Sequence, residues 1–241
     1  MTSTTLGPSL QVVAQALLSE SSTQMHNLGE LCFSNDGRAF RYVKAGATAL
    51  VAGKLQQTAA QVTGDQNLTA VAAAVGDFTI ASTSTVTVTA NQYANGYALI
   101  TVTPGVGYMY QIKSHIAYTA AAPTFTLVDS IQVALTTTSR IDLIANLYSS
   151  VIVNPATATS TPVGVAVFPV TAAYFGWVQV SGVANVLADG AITTGTNLIA
   201  SNAVAGAVEP GADAADLQAN VGIAISGIAD TEYGAVKLNL L

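Results

Sequence analysis

The sequence predicts an all-β fold: an antiparallel β-barrel or sandwich with a short N-terminal arm or helix. Three observations lead there. About a dozen short runs of β-branched and aromatic residues recur at roughly 8–12-residue spacing, the rhythm of barrels and sandwiches. The pairs Asp36-Gly37, Asn95-Gly96 and Asp189-Gly190 punctuate those runs with residues that tolerate the positive φ of hairpin turns. Only the first 25 residues show helical spacing, and no repeat of fixed period is present.

Leu10, Val13, Ala14, Leu17 and Leu18 fall at helical intervals behind Pro8 and Ser9. Residues 1–25 therefore read as an arm of at most three helical turns. It either packs on its own domain or reaches a neighbouring subunit. From Gly29 the pattern turns β. Glu30–Ser34 and Arg38–Val43 flank Asp36-Gly37 and form a hairpin. Gly46–Leu55 continues as a small-residue strand or loop, and 56–76, rich in Gln, Ala and Thr, reads as a connector. Strands are expected at Thr85–Thr89, Tyr97–Val102, Tyr108–Lys113, Phe125–Val128, Ile131–Leu135, Ile141–Ala145 and Val151–Val153. Asn95-Gly96 would join the first two of these as a hairpin. A polar loop with Pro155 and Pro162 follows. The last set is Val163–Val167, Tyr174–Val180, Ala184–Leu187, Asn197–Ala200, Val221–Ile225 and Ala235–Leu240. The expected organisation is an arm (1–25), a barrel-like domain built from 26–76 and 161–241, and a β-rich middle module (77–160), read as an insertion.

Of 241 residues, 7 are Lys or Arg and 13 are Asp or Glu, so 8% are charged, against about 25% in an ordinary soluble domain. A formal charge of −6 argues against a nucleic-acid partner, which calls for a basic face. A mean hydropathy of +0.49 raises the question of a membrane. No window of about 20 residues is apolar enough to span one as a helix, and the aromatic girdles of an outer-membrane barrel are missing. The opening Met1-Thr-Ser-Thr-Thr-Leu-Gly-Pro8 has no basic n-region and no long apolar h-region, so no export signal is expected. The single cysteine, Cys32, excludes an internal disulfide framework and a cysteine-based zinc site.

The charges are also segregated. No Asp, Glu, Lys or Arg occurs between Asp142 and Asp189. Edge strands normally carry charges that block edge-to-edge pairing, and interface cores are charge-depleted. The expectation is an obligate homo-oligomer with part of 143–188 at the subunit contact. Four of the seven basic residues, Arg38, Arg41, Lys44 and Lys54, lie in one short stretch.

Catalytic chemistry finds little support. His26 and His115 are read as structural, without metal-ligating or catalytic partners. Ser114 and His115 are strand neighbours and point to opposite faces. Cys32 is expected as a small buried hydrophobe. No carboxylate spacing suggests a glycosidase pair, and Gly105-Val-Gly107 lacks the helix and third glycine of a dinucleotide loop. Tyr174, Phe175 and Trp177 form the densest aromatic cluster, either core or a sugar platform. No enzyme activity, cofactor or metal is expected.

The stretch from Leu28 to Gly46, with its Asp36-Gly-Arg-Ala-Phe-Arg-Tyr-Val43, resembles the opening of small structural proteins of tailed bacteriophages. Ala49-Leu-Val-Ala-Gly-Lys-Leu55 is similar to the Ala/Gly-rich segment that follows in them. Gly176–Gly195 and the final Val221-Gly-Ile-Ala-Ile and Ala235-Val-Lys-Leu resemble strands of phage capsid decoration (cement) proteins. Together these cover about half the chain, and the middle portion carries no such motif. The resemblance implies a virion protein on the capsid surface, made in the host cytoplasm and released by lysis. Its partners would be the major capsid protein and copies of itself, as a homotrimer, with no nucleic acid and no membrane. The residues expected at partner contacts are Leu10, Val13 and Leu17 of the arm and Arg38, Arg41 and Lys44 of the hairpin. The alternative is a receptor-binding or tail-fibre protein recognising glycans, which calls for an exposed aromatic pocket near Tyr174–Trp177.

Overall fold

A computed structural model describes residues 15–211 and 220–241. Its regular structure among the described residues is β-strand apart from one 3-10 turn, and it divides into two units: residues 1–60 with 147–241, and residues 61–146. The sequence placed the middle module at 77–160, so both boundaries move toward the N-terminus. The stretch read as a connector holds a strand on the host side and two elements of the second unit.

The first leg of the larger unit carries β1 (Leu31–Phe33), β2 (Ala39–Lys44) and β3 (Leu55–Thr58). The 61–146 unit carries a one-turn 3-10 helix (Thr63–Asp65), β4 (Leu68–Thr69), β5 (Thr79–Ala81), β6 (Val86–Val88) and β7 (Tyr97–Val102). It continues with β8 (Met109–Ser114), β9 (Tyr118–Ala121), β10 (Thr124–Leu127) and β11 (Arg140–Ile144). The larger unit resumes with β12 (Val151–Val153), β13 (Pro162–Ala166), β14 (Phe175–Leu187) and β15 (Asn197–Ala200). It ends with β16 (Val208–Pro210), β17 (Asn220–Ala224) and β18 (Tyr233–Asn239).

In the larger unit one sheet runs β12-β3-β13-β14-β18-β17-β15-β16, with β1 and β2 joined to it through β14. The Asp36-Gly37 turn closes β1 on β2 as expected, with Gly37 at φ +84°. The two runs read separately as Tyr174–Val180 and Ala184–Leu187 are one 13-residue strand, β14. Its first half pairs with β2, from Phe175↔Lys44 to Ser181↔Ala39. Its second half pairs with β18, from Ser181↔Asn239 to Leu187↔Tyr233. Ser181 therefore has Ala39 on one edge and Asn239 on the other. Between Gln179 and Ser181 the register slips, so Val180 is the extra residue of a bulge, the usual device for bending a strand. Gly182 follows at φ +84°, a conformation that other residues adopt only with strain. Past the bend, the bridge Ala188↔Val208 brings the end of β14 against β16, so the sheet curls back on itself.

The core follows that bend. Phe175 and Trp177 pack with Phe40, Tyr42 and Cys32. Val178 turns to the other face, among Val43, Leu50, Val163 and Val170. Beyond the bend, Ala184 and Val186 join Leu198, Val221, Val236 and Leu238 inside the curl. Most of β14 is thus buried by its own chain, with Val183 and Asn185 exposed. That accounts for part of the charge-free stretch without invoking a subunit contact.

In the 61–146 unit a six-stranded sheet runs β4-β11-β7-β8-β10-β5, and β6 pairs with β9. Its core gathers Ile80, Ile100, Tyr110, Ile112, Phe125 and Leu143. Two sequence expectations differ here. Asn95, at φ 60°, does turn the chain, but β6 does not pair with β7. Ile131–Leu135 forms no strand. It contributes buried Ile131 and Leu135 and a single bridge to Ala73. The alternation there reflects burial of a loop against the sheet, a signal that a strand shares.

Gly182→Ala is expected to lower the stability of the larger unit by about 1–3 kcal/mol, because a Cβ would combine left-handed strain with a clash. That Cβ would sit 2.9 Å from Arg38 Cγ and 3.1 Å from its Cα. An unchanged urea midpoint would show that the bend does not depend on this glycine.

Candidate partner-binding face and groove

Leu10 and Val13 lie outside the described residues. Gln15–Met25 forms no helix. It is an irregular strap fastened to its own domain. Gln15 is buried. Its Nε2 donates to Phe175 O at 3.0 Å, its Oε1 accepts from the Tyr42 hydroxyl at 2.7 Å, and its carbonyl accepts from Trp177 Nε1 at 3.2 Å. Ser21 then bridges Phe175. Leu17 is half-buried against the Trp177 cluster, so its side chain is committed to its own core. Most of the stretch read as helical lies outside the described residues; of its described part, 15–18 form a turn, and side-chain and backbone bonds to β14 hold the strap in place.

The basic hairpin does not form one patch. Along β2 the side chains alternate, so Arg38 and Lys44 share the face of Phe40 and Tyr42, and Arg41 takes the other. Arg38 lies over Phe40 and bonds Asp36 at 2.7 Å. Asp36 is held down at about 2, first by the Ser34 hydroxyl and then by Arg38. Arg41 donates to Gly29 O at 2.8 Å and lies over Tyr148. Lys44 lies over Phe175. Each of these cations covers an aromatic ring of its own domain.

Trp177 is 1% exposed and Phe175 is buried beside it. These two rings are core, and only Tyr174 of the cluster reaches solvent.

The feature that sequence reading missed is an open sheet face. On antiparallel strands, directly opposed residues point the same way. Val183 opposes Lys237, which opposes Ile223, so the three form a row across β14, β18 and β17. Asn185 opposes Ala235, whose carbonyl accepts from Ile225 N–H at 2.9 Å, giving the next row. Val183 is 54% exposed and Ile223 46%, and Ile225 and Tyr233 are exposed as well. The two rows hold four aliphatic side chains and one charge, Lys237. A signal existed: Val221-Gly-Ile-Ala-Ile has apolar residues in both strand phases, where a strand facing water has polar residues in one.

A groove of about 460 Å3 borders this face, lined by Leu18, Arg38, Gly53, Gln179, Val183 and Tyr233, among others. β14 lends it an edge that no strand among the described residues covers. Leu240 N–H donates to Val180 O, so past the bulge the even-numbered residues of β14 bond toward β18 and the odd-numbered ones face away. On that far edge Leu187 N–H reaches Gly53 O at 3.0 Å, and Gln179 Nε2 reaches Ser181 O and Val183 O. Between these, no strand among the described residues pairs with the Val183–Asn185 edge. Gln179 is 1% exposed, and its Oε1 has no partner.

Two buried polar clusters complete the inventory. In the larger unit His26 packs edgewise on Tyr42 and against Trp177, and its Nδ1 lies 3.0 Å from Glu30 Oε1. Glu30, four residues on, is the partner that sequence reading passed over. Burial, and then Glu30, push the Cys32 thiol up, which suits a core residue. In the 61–146 unit His115 Nε2 accepts Tyr93 N–H at 3.0 Å. Its Nδ1, 2.8 Å from Ile116 O, must therefore carry the proton and donate. Both nitrogens are thus engaged within the fold. The Tyr93 hydroxyl donates to buried Asp65. No group of three or more His, Cys, Asp or Glu among the described residues could hold a metal.

No family model matches the chain, and neither a curated protein nor a solved structure matches it.

Burial first, and then Asp65, hold the Tyr93 phenol above its ordinary range. A raised native value means that the folded state keeps this proton when the unfolded state has lost it. The resulting stability is complete below about pH 10 and declines as pH rises past it. Alkaline denaturation should therefore be shallower in Tyr93→Phe than in the parent above about pH 10. Parallel curves would mean that Tyr93 ionises freely in the folded chain.

Proposed function

We propose that this chain is a structural subunit of a tailed-phage particle, a decoration or cement protein bound to the outside of the capsid. It acts without catalysis, as a homo-oligomer with a trimer as the expected symmetry, and its partners are the major capsid protein and its own copies. The observation that carries this reading is the β14–β18–β17 face. Four aliphatic side chains stand in register on a rigid sheet with one lysine, in a chain with 8% charged residues. A contiguous apolar face of this kind is a hallmark of association surfaces. Burying it between subunits would contribute up to about 25 cal/mol per Å2 of apolar area, multiplied over many copies on a shell. Partner contact on this reading moves from the basic hairpin, whose cations cover their own aromatic rings, to the sheet face.

Sedimentation velocity tests the assembly. The full chain should sediment as an oligomer at micromolar concentration, and Ile223→Lys with Ile225→Glu should shift it to monomer with the β-sheet circular dichroism retained. A monomeric parent chain would remove the oligomer. Particles carrying and lacking the protein test the role on the shell. Equal survival on heating, or immunogold label on tails and not heads, would remove the cement reading.

A further inference from the structure

We propose that the groove beside β14 is a saccharide site, which takes a neutral pyranose ring with free hydroxyl groups. At about 460 Å3 it has the size of a small-ligand pocket. Its walls supply two kinds of surface. Leu18, 64% exposed, and Tyr233, 45% exposed, leave apolar surface in water. Gly53 makes room for the Tyr233 ring, because a Cβ there would sit 2.6 Å from Tyr233 Cε1. The polar groups are Gln179, Asn185 and Arg38. Gln179 is 1% exposed, and its amide is fixed in orientation, since Nε2 donates to both Ser181 O and Val183 O. Its Oε1 has no partner, and a buried acceptor without a donor is costly. A ligand hydroxyl supplies that donor. Asn185 is exposed on the same strand and offers a second amide.

The charges point to a neutral ligand. No carboxylate among the described residues lines the groove, so it offers no counter-charge to a cation. Arg38 bonds Asp36 at 2.7 Å and lies over Phe40, so its charge is already balanced within the fold. A hydrocarbon chain would leave the Gln179 oxygen unmet, and an anion would meet that oxygen with repulsion. A pyranose satisfies both surfaces. Its C–H face packs on Tyr233 and Leu18, and the hydroxyls at its rim reach the amides. This inference stands on the groove and does not depend on the role in a phage particle.

NMR titration read at the Gln179 side-chain amide and the Gly53 backbone amide tests it. The probes are the methyl glycosides of glucose, galactose, mannose and N-acetylglucosamine, with acetate and butanol as the anionic and apolar controls. Tyr233 also borders the open sheet face, so the parent chain and the full-length Ile223→Lys, Ile225→Glu chain are both titrated. At least one glycoside should move both signals saturably, with a millimolar Kd, in at least one of the two chains. Tyr233→Ala should weaken that binding at least about tenfold. Asn185→Ala, at an exposed position, should weaken it as well and covers the case in which the Tyr233 change disturbs the sheet. Absence of saturable shifts in both chains overturns the proposal. Binding unaltered in both variants, or a response to acetate or butanol alone, also overturns it.

Discussion

The bend in β14 is the constraint on which the larger unit rests. A strand of 13 residues has two edges, and three strands claim them: β2 and β13 at one end and β18 at the other. One straight ribbon would place the Trp177 cluster and the interior of the curl on one flat sheet. The extra residue Val180 and the left-handed Gly182 rotate the second half, so that buried side chains serve separate cores before and after the bend. The same rotation carries the strand away from β2. Past the bend that edge is therefore met by the Gln179 amide and by Gly53 in place of a strand.

Scarcity of charge acquires a physical meaning in this setting. Most of β14 is buried, so along that part of the long uncharged run there are few positions where an ion would be solvated; Val183 and Asn185 are its exposed positions. The cations on and just before β2 lie across Phe40, Tyr148 and Phe175. Their aliphatic stems shield rings that would otherwise meet water. The apolar side chains left outside are ordered in rows by the β18 register, and that order distinguishes a face from scattered exposed residues.

Much of the architecture was legible because β-branched alternation and Gly-containing turns act locally. The β1–β2 hairpin, β7, β8, β11 and β18 all arise from patterns within a few residues, and β14 was legible as two runs and not as one strand. The strap, β3 and the unit boundaries were not legible, because long-range bonds decide them. Gln56 and Gln57 read as polar linker residues, yet both are buried in β3. There the Gln56 amide donates to Lys54 O and the Gln57 amide to Thr159. The candidate face was half legible. Apolar residues in both phases of β17 announced it, but only the register with β18 showed which of them stand together. His26 and Glu30, in contrast, were legible four residues apart and went unread.

β3 and β12 are neighbours in the sheet, with Thr58 opposite Val151 and Ala59 N–H bonded to Ser150 O. The span from Gln61 to Asn146 therefore leaves and re-enters the larger unit close to two adjacent points on one ladder. To the host sheet this span is topologically equivalent to a hairpin loop. A short turn could replace it, or an unrelated domain could be spliced in its stead, with no strand of the host sheet rerouted. Such a socket would let the two units diversify under separate selection.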